Sequence, residues 1–251
     1  MKNFVSTTTV FIILSALILA SIAAENRQEL GKITFPLGEV AISRDRGGLW
    51  QQALLNCVVY NTDIMKTGAE SRCEISLKDG SVIRIGENTE LAFDDIELKD
   101  NRLQGSARIS AGQIWSNLQK LKSGDEALSV RTPTAVMAVR GTVFRANAEP
   151  DSSASVLVYE GQVDVKLTEE MEEKVLPEKK DRSGAPRRIE GPQQVHGPYE
   201  VTLEEWQRIV AGMQINIRKD GKYYSFNFDP EADAALDWVK WNKERDSLIQ
   251  R

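Results

Sequence analysis

Histidine and cysteine, the side chains that most often activate or carry out covalent catalysis, are scarce in this chain. There is one histidine, His196, in the stretch Gln193-Gln194-Val195-His196-Gly197-Pro198. A Ser-His-Asp triad or a histidine-based metal site would have to use that residue alone. No partner group lies near it in the sequence, and it reads as a polar loop residue. The two cysteines, Cys57 and Cys73, sit in strand-like segments far from His196, so neither has the base that a catalytic thiol needs. Asp79-Gly80 and Asp220-Gly221 each offer one carboxylate and read as turns; Asp94, Asp95 and Glu97 read as a solvated acidic surface. A calcium loop needs several oxygen ligands at close spacing. No glycine loop of the phosphate-cradling kind is present. No catalytic residue, metal or cofactor is expected.

Two features point to binding instead. Arg140 stands inside the largely apolar segment Arg131 to Arg145, RTPTAVMAVRGTVFR. A buried guanidinium needs a partner, and Glu160 and Asp164 are the candidates. Such a pair either braces a corner or leaves an arginine free to read a ligand. Trp238 and Trp241, at i and i+3, share one side of a C-terminal helix. Exposed tryptophans of this kind stack on sugars or anchor partners, and buried ones fill a core.

The elements that must position these residues are mainly strands. Val40 and Ile42 alternate with polar neighbours. From Cys73 to Ile85 the alternation is clear, with Ile75 and Leu77 before Asp79-Gly80 and Val82, Ile83 and Ile85 after it, which predicts a hairpin. Leu91, Phe93 and Ile96 continue on a further strand. The form Gly-polar-aliphatic recurs at Gly38, Gly112 and Gly161, at unequal spacing, with glycine supplying the turn before a strand. Thr202 to Glu205 forms a capping box, and Leu203, Trp206, Ile209, Val210 and Met213 form an apolar stripe, which together predict a helix. A hairpin about Lys219–Lys222 (KDGK) follows. Asp229-Pro230 then opens a last helix.

The N-terminus has a targeting pattern. Lys2 precedes an apolar run from Val10 to Leu19, then small residues to Ala24. This reads as a cleaved signal peptide, since the run is short for a membrane span. Its removal takes away one lysine and leaves 31 basic and 37 acidic residues, a net charge of −6 against −5 for the whole chain. That balance argues against nucleic acid or anionic lipid as the main partner. Export places Cys57 and Cys73 in an oxidising compartment. A disulfide between them, worth about 3 kcal/mol, is therefore favoured over two buried thiols.

Several motifs resemble the FecR family. They are Thr132-Pro133-Thr134-Ala135, Val139-Arg140-Gly141-Thr142, Phe144, and Val156 to Val163 (VLVYEGQV). Upstream, Asp63 to Gly68 (DIMKTG), Leu77 to Ser81 (LKDGS) and Asn88 to Leu91 (NTEL) are similar to the family's first half. The resemblance runs from about Gly38 to Val165 and implies an all-β domain outside the cytoplasmic membrane. The founding members span the membrane and regulate sigma factors through a cytoplasmic N-terminal part. Here a signal-like segment occupies that place, which implies a stand-alone exported FecR-domain protein, periplasmic or secreted. The tail from Gln193 departs from the family's receptor-contacting region.

The expected layout is a signal peptide (1–24), a polar lead-in (25–37), a sandwich-like or solenoid-like β domain (38–167), a charged linker (168–192) and a small α+β C-terminal region (193–251). The expected function is non-catalytic: a protein-binding sensor or scaffold of the cell envelope, with no membrane span after cleavage. The alternative is a glycan- or peptidoglycan-binding module with Trp238 and Trp241 as its platforms.

Overall fold

The computed structural model describes residues 27–100, 102–120, 128–175, 201–202 and 206–249. The expected signal peptide, His196, Leu203–Glu205 and most of the charged linker lie outside them. The first half holds β1 (Glu29–Leu37), β2 (Val40–Ser43), β3 (Trp50–Gln52), β4 (Val58–Tyr60), β5 (Ile64–Thr67), β6 (Arg72–Leu77), β7 (Val82–Ile85), β8 (Glu90–Lys99) and β9 (Arg102–Asn117). The second half holds β10 (Leu128–Arg131), β11 (Ala135–Val139), β12 (Val143–Ala148), β13 (Ala154–Glu160), β14 (Gln162–Leu167), α1 (Glu169–Val175), β15 (Val201–Thr202), β16 (Gln207–Val210), β17 (Met213–Ile217), β18 (Lys222–Asn227), α2 (Pro230–Ala234) and α3 (Asp237–Ile249). The chain is mainly β, with a small helical unit at its C-terminal end.

The strands form one mixed sheet folded into two layers. Layer A runs β4-β1-β6-β7-β9-β12-β13-β17-β18-β15. Layer B runs β3-β2-β5-β8-β9-β10-β11-β14-β16. Among the described residues only β10 and β9 pair in parallel. β9 belongs to both layers, because its first part pairs β8 and β10 and its last residues pair β7 and β12.

Alternation explains the core. In layer A the cross-strand row Ile33–Ile75–Ile83–Ser116–Phe144–Val158 faces inward. In layer B the row Ile42–Met65–Leu91–Ile109 does the same. All ten side chains are buried, and their apolar members join a single core between the layers. Burying each large aliphatic side chain contributes about 1.5–3 kcal/mol, so register is held by every strand.

The three repeated glycines mark layer changes. Gly38 lies between β1 of layer A and β2 of layer B, Gly112 bends β9 from B to A, and Gly161 joins β13 of A to β14 of B. All three have positive φ, +75°, +90° and +80°. The spacing is unequal because the strands between these corners differ in number and length.

Three expectations are corrected. The polar lead-in is a strand, β1, with β4 on one side and β6 on the other. A bulge between Ile33 and Phe35 sends Ile33 into the core and Phe35 to the outer face of layer A, which hides the alternation from a simple count. Of the helix expected from Thr202 to Met213, Thr202 ends β15 and the described residues from Gln207 form β16, a turn at Gly212 and the start of β17. Ile209 is the buried residue of β16, opposite Val163, while Trp206 and Val210 stay exposed. The open edges of β14 and β13 supply ladder hydrogen bonds that override a helical spacing of apolar residues. The disulfide is absent: Cys57 and Cys73 are both free. β1 lies between them, since Cys57 O accepts from Ile33 N and Cys73 stands opposite Pro36 on the other edge. Two strand spacings are about 9–10 Å, beyond the reach of a disulfide.

Other local signals match. β6 and β7 form the Asp79-Gly80 hairpin, and β17 and β18 form the one about KDGK. Asp229 caps α2, its carboxylate accepting from the amides of Glu231 and Ala232, with Pro230 in the first turn. No helix among the described residues is long and apolar enough to cross a membrane.

Candidate functional site

The outer face of layer A carries a row of polar and aromatic side chains. Phe35, Glu74, Arg84, Trp115, Arg145 and Leu157 stand opposite one another on β1, β6, β7, β9, β12 and β13. In a sheet with one wet face this row would be solvated. Here α2 and α3 lie over it, and Arg84 is 0% exposed.

Each charge in the row meets a partner. Arg84 Nε donates to Glu74 Oε2 at 2.7 Å, and its Nη1 donates to Asp246 Oδ1 at 2.7 Å. Trp115 Nε1 donates to the other oxygen of Asp246 at 2.9 Å. Arg145 Nη2 and the Tyr159 hydroxyl both donate to Asp233, each at 2.9 Å. Arg245 donates to both oxygens of Glu74, at 2.6 and 2.7 Å, and Thr34 adds a third donor at 2.7 Å. Arg72 pairs with Asp237 at the rim. Through these pairs the sheet side brings three arginines and one glutamate, net +2. The helix side brings three aspartates and one arginine, net −2.

Burial alone would raise the Glu74 carboxyl. Hydrogen bonds from Arg245, Arg84 and Thr34 outweigh it and hold the group near its lower limit, at about 2. Burial pushes the Tyr159 phenol upward, so it remains a neutral donor. Three buried donors here, Arg84 Nη2, Arg145 Nε and Trp238 Nε1, find no acceptor among the described residues.

The tryptophans belong to this seat. Trp238 is 8% exposed and Trp241 half-buried, and their rings stack at 5.3 Å. Arg72 lies over both rings, and Arg245 lies between Trp241 and Phe35. Trp115 stacks on Tyr159 at 4.3 Å. Cation–π contacts of this kind contribute about 0.5–2 kcal/mol. The rings therefore serve as packing between helix and sheet and not as an open sugar platform.

Arg140 is exposed, at the end of β11. Neither expected partner is tied to it: Asp164 pairs with Arg208 at 2.8 Å, and Glu160 is exposed. The buried arginine of that segment is Arg145. Asp94 is held by Arg108 at 2.7 Å and Glu97 by Lys99 at 2.9 Å. Burial pushes the Cys73 thiol up to about 12, which makes it a poor nucleophile. Among the described residues no three His, Cys, Asp or Glu side chains gather as a metal set.

Pattern reading missed Glu74, Arg84, Trp115, Arg145, Asp233 and Asp246, because polar residues at alternate strand positions look solvated. Trp115 carried the available signal, a large aromatic in an outward slot. The outer face of layer B holds two further grooves, each of about 430 Å³, which share Arg108 and Arg131.

Residues 63–164 match the family model described as FecR protein. No curated protein matches the chain. Two crystal structures of a candidate anti-sigma factor from Parabacteroides distasonis are similar, with 18% and 17% identity and TM-scores of 0.46 and 0.45. Each comparison covers 67% of this chain and 61% of the other, so the chain spans about three fifths of the length of those structures. Glu74, Arg84, Trp115, Arg145 and Tyr159 fall inside the matched region, while α2 and α3 fall outside it, and residues 63–164 of this chain are a FecR domain.

Proposed function

We propose that this chain is a non-catalytic protein-binding module of the cell envelope, acting as a sensor or scaffold. The observation that carries this reading is the FecR domain at residues 63–164, whose outer faces present ion pairs and aromatic rings rather than a nucleophile–base pair. Export is part of the proposal and is supported by Lys2, the Val10–Leu19 run and the small residues that follow. An exported FecR domain has no access to a cytoplasmic sigma factor, so its partner is an envelope protein.

Photo-crosslinking in the native envelope tests this, with probes in place of the exposed Arg131 and Arg140. A discrete protein adduct from either position is expected. A heterogeneous glycan ladder, or no adduct from both, would overturn the proposal.

A further inference from the structure

The contact between α2–α3 and layer A differs in kind from every other large contact in the fold. Strand meets strand through backbone ladders and an apolar core. The helices meet layer A through side chains, and most of the buried ones are charged or polar. Buried ion pairs are close to break-even against water, because each charge regains its hydration when the contact opens. The Trp115, Val143, Trp238 and Val239 side chains are buried in the same contact, so the helices leave it readily only when another face that is both charged and aromatic takes their place. The fit is also incomplete, with Arg84, Arg145 and Trp238 each keeping an unused donor.

The face beneath the helices has a definite specificity. Its net charge of +2 comes from Glu74, Arg84 and Arg145 in the row and Arg72 at the rim, with Trp115, Phe35 and Tyr159 beside them. The complement that α3 supplies is one side of a helix: Asp237, Trp238, Trp241, Asn242, Arg245 and Asp246 fall at helical spacing.

We propose that the outer face of layer A is a recognition surface for an acidic, aromatic-bearing helix of a partner protein, and that the chain's own α2–α3 occupies it at rest and leaves it reversibly. This rests on the protein-binding reading above and names the partner chemistry and its regulation. A partner helix with a further acceptor would satisfy the Arg84 and Arg145 donors that α2 and α3 leave unused, and would so displace them. α2–α3 is then an internal competitor that sets a threshold for binding.

Two measurements on the full chain test the idea. In hydrogen exchange, the α2–α3 amides should open as one unit, on the order of 100-fold faster than β6, β7 and β12. A fluorescent peptide of residues 229–249, used as the probe, should bind the full chain in trans. Asp246→Asn in the chain should strengthen peptide binding several-fold by weakening the resident helix. Arg84→Met and Arg145→Met weaken the resident helices and the peptide alike, so each should speed α2–α3 exchange about tenfold, the loss of one strong charge-assisted contact, without the gain in peptide binding expected of Asp246→Asn. A merely structural brace predicts no gain from Asp246→Asn. Exchange of α3 together with the core strands overturns the proposal, as does opening without peptide binding. If the peptide binds but no protein crosslinks in the envelope, the wider function fails and the seat stands.

Discussion

Gly112 and Gly212 offer a controlled comparison of what holds the two layers together. Their φ angles are nearly the same, +90° and +86°. Alanine at either position carries a left-handed backbone penalty of about 1–2 kcal/mol. Their surroundings differ. A Cβ at Gly112 would stand 2.2 Å from Thr89 Oγ1 and 2.5 Å from Thr89 Cα, whereas nothing lies within 4 Å of one at Gly212. Thr89 cannot give way freely, because its hydroxyl accepts from Gln113 N and donates to Glu87 O, each at 2.9 Å. Forcing the two backbones apart adds about 1–3 kcal/mol. Gly212→Ala should therefore cost about 1–2 kcal/mol, and Gly112→Ala about 2–5 kcal/mol. Urea unfolding followed by tryptophan fluorescence reads both as shifts in midpoint at constant slope. Equal costs, or a larger cost at Gly212, would refute the claim that close contact with Thr89 makes glycine necessary where β9 changes layer.

Three further outcomes are expected. Glu74 is depressed from 4.5 to about 2, so its contribution is complete above pH 4.5 and fades as pH falls toward 2. The difference corresponds to about 3 kcal/mol at most, and exchange of α3 amides measured between pH 5 and 2 should show it, with the step missing in Glu74→Gln. Alkylation of the native chain without reductant should modify the half-buried Cys57 and spare Cys73 until unfolding, as read by mass spectrometry; protection of both by a bond would contradict the free thiols. Arg140→Ala should leave urea stability within about 0.5 kcal/mol, as for an exposed side chain, while Arg145→Ala should speed exchange of α2 and α3 by removing the partner of Asp233.

What was legible in the sequence was local. The hairpin at Asp79-Gly80 and the one about KDGK are written in a few adjacent residues, as is the Asp229-Pro230 cap. Glycine before a strand at positions 38, 112 and 161 was also visible, but not that each of these corners changes layer, which depends on partners far away in the chain. β1 was hidden by its bulge, since one extra residue at Thr34 breaks the period on which strand reading depends. The stretch from Trp206 to Met213 has apolar residues at helical spacing, and the choice of strand was made by two waiting sheet edges that no local window contains. The FecR motifs stand at the corners and core strands, so they pointed to the domain without pointing to the seat. The seat joins residues more than a hundred positions apart, such as Trp115 and Asp246. Its charges alternate with core residues in the way that charges on a solvated face do.

The C-terminal strands and the C-terminal helices are attached in different ways, and this decides which of them can move. β16 continues layer B on β14, and β17 continues layer A on β13, each through four residue pairs of backbone ladder. Pulling either strand away would leave an open sheet edge with unpaired amides and carbonyls, which is costly and invites aggregation. α2 and α3 satisfy their backbones internally, apart from a cap that Asp229 also supplies locally. Their departure breaks no ladder. It separates Arg84 and Arg145 from two aspartates, which water can take up, and uncovers the Trp115 and Trp238 rings, which a partner must cover. The strands after the FecR domain are therefore fixed parts of the two layers, and the helices beyond them are the part of this chain built to exchange one charged partner for another.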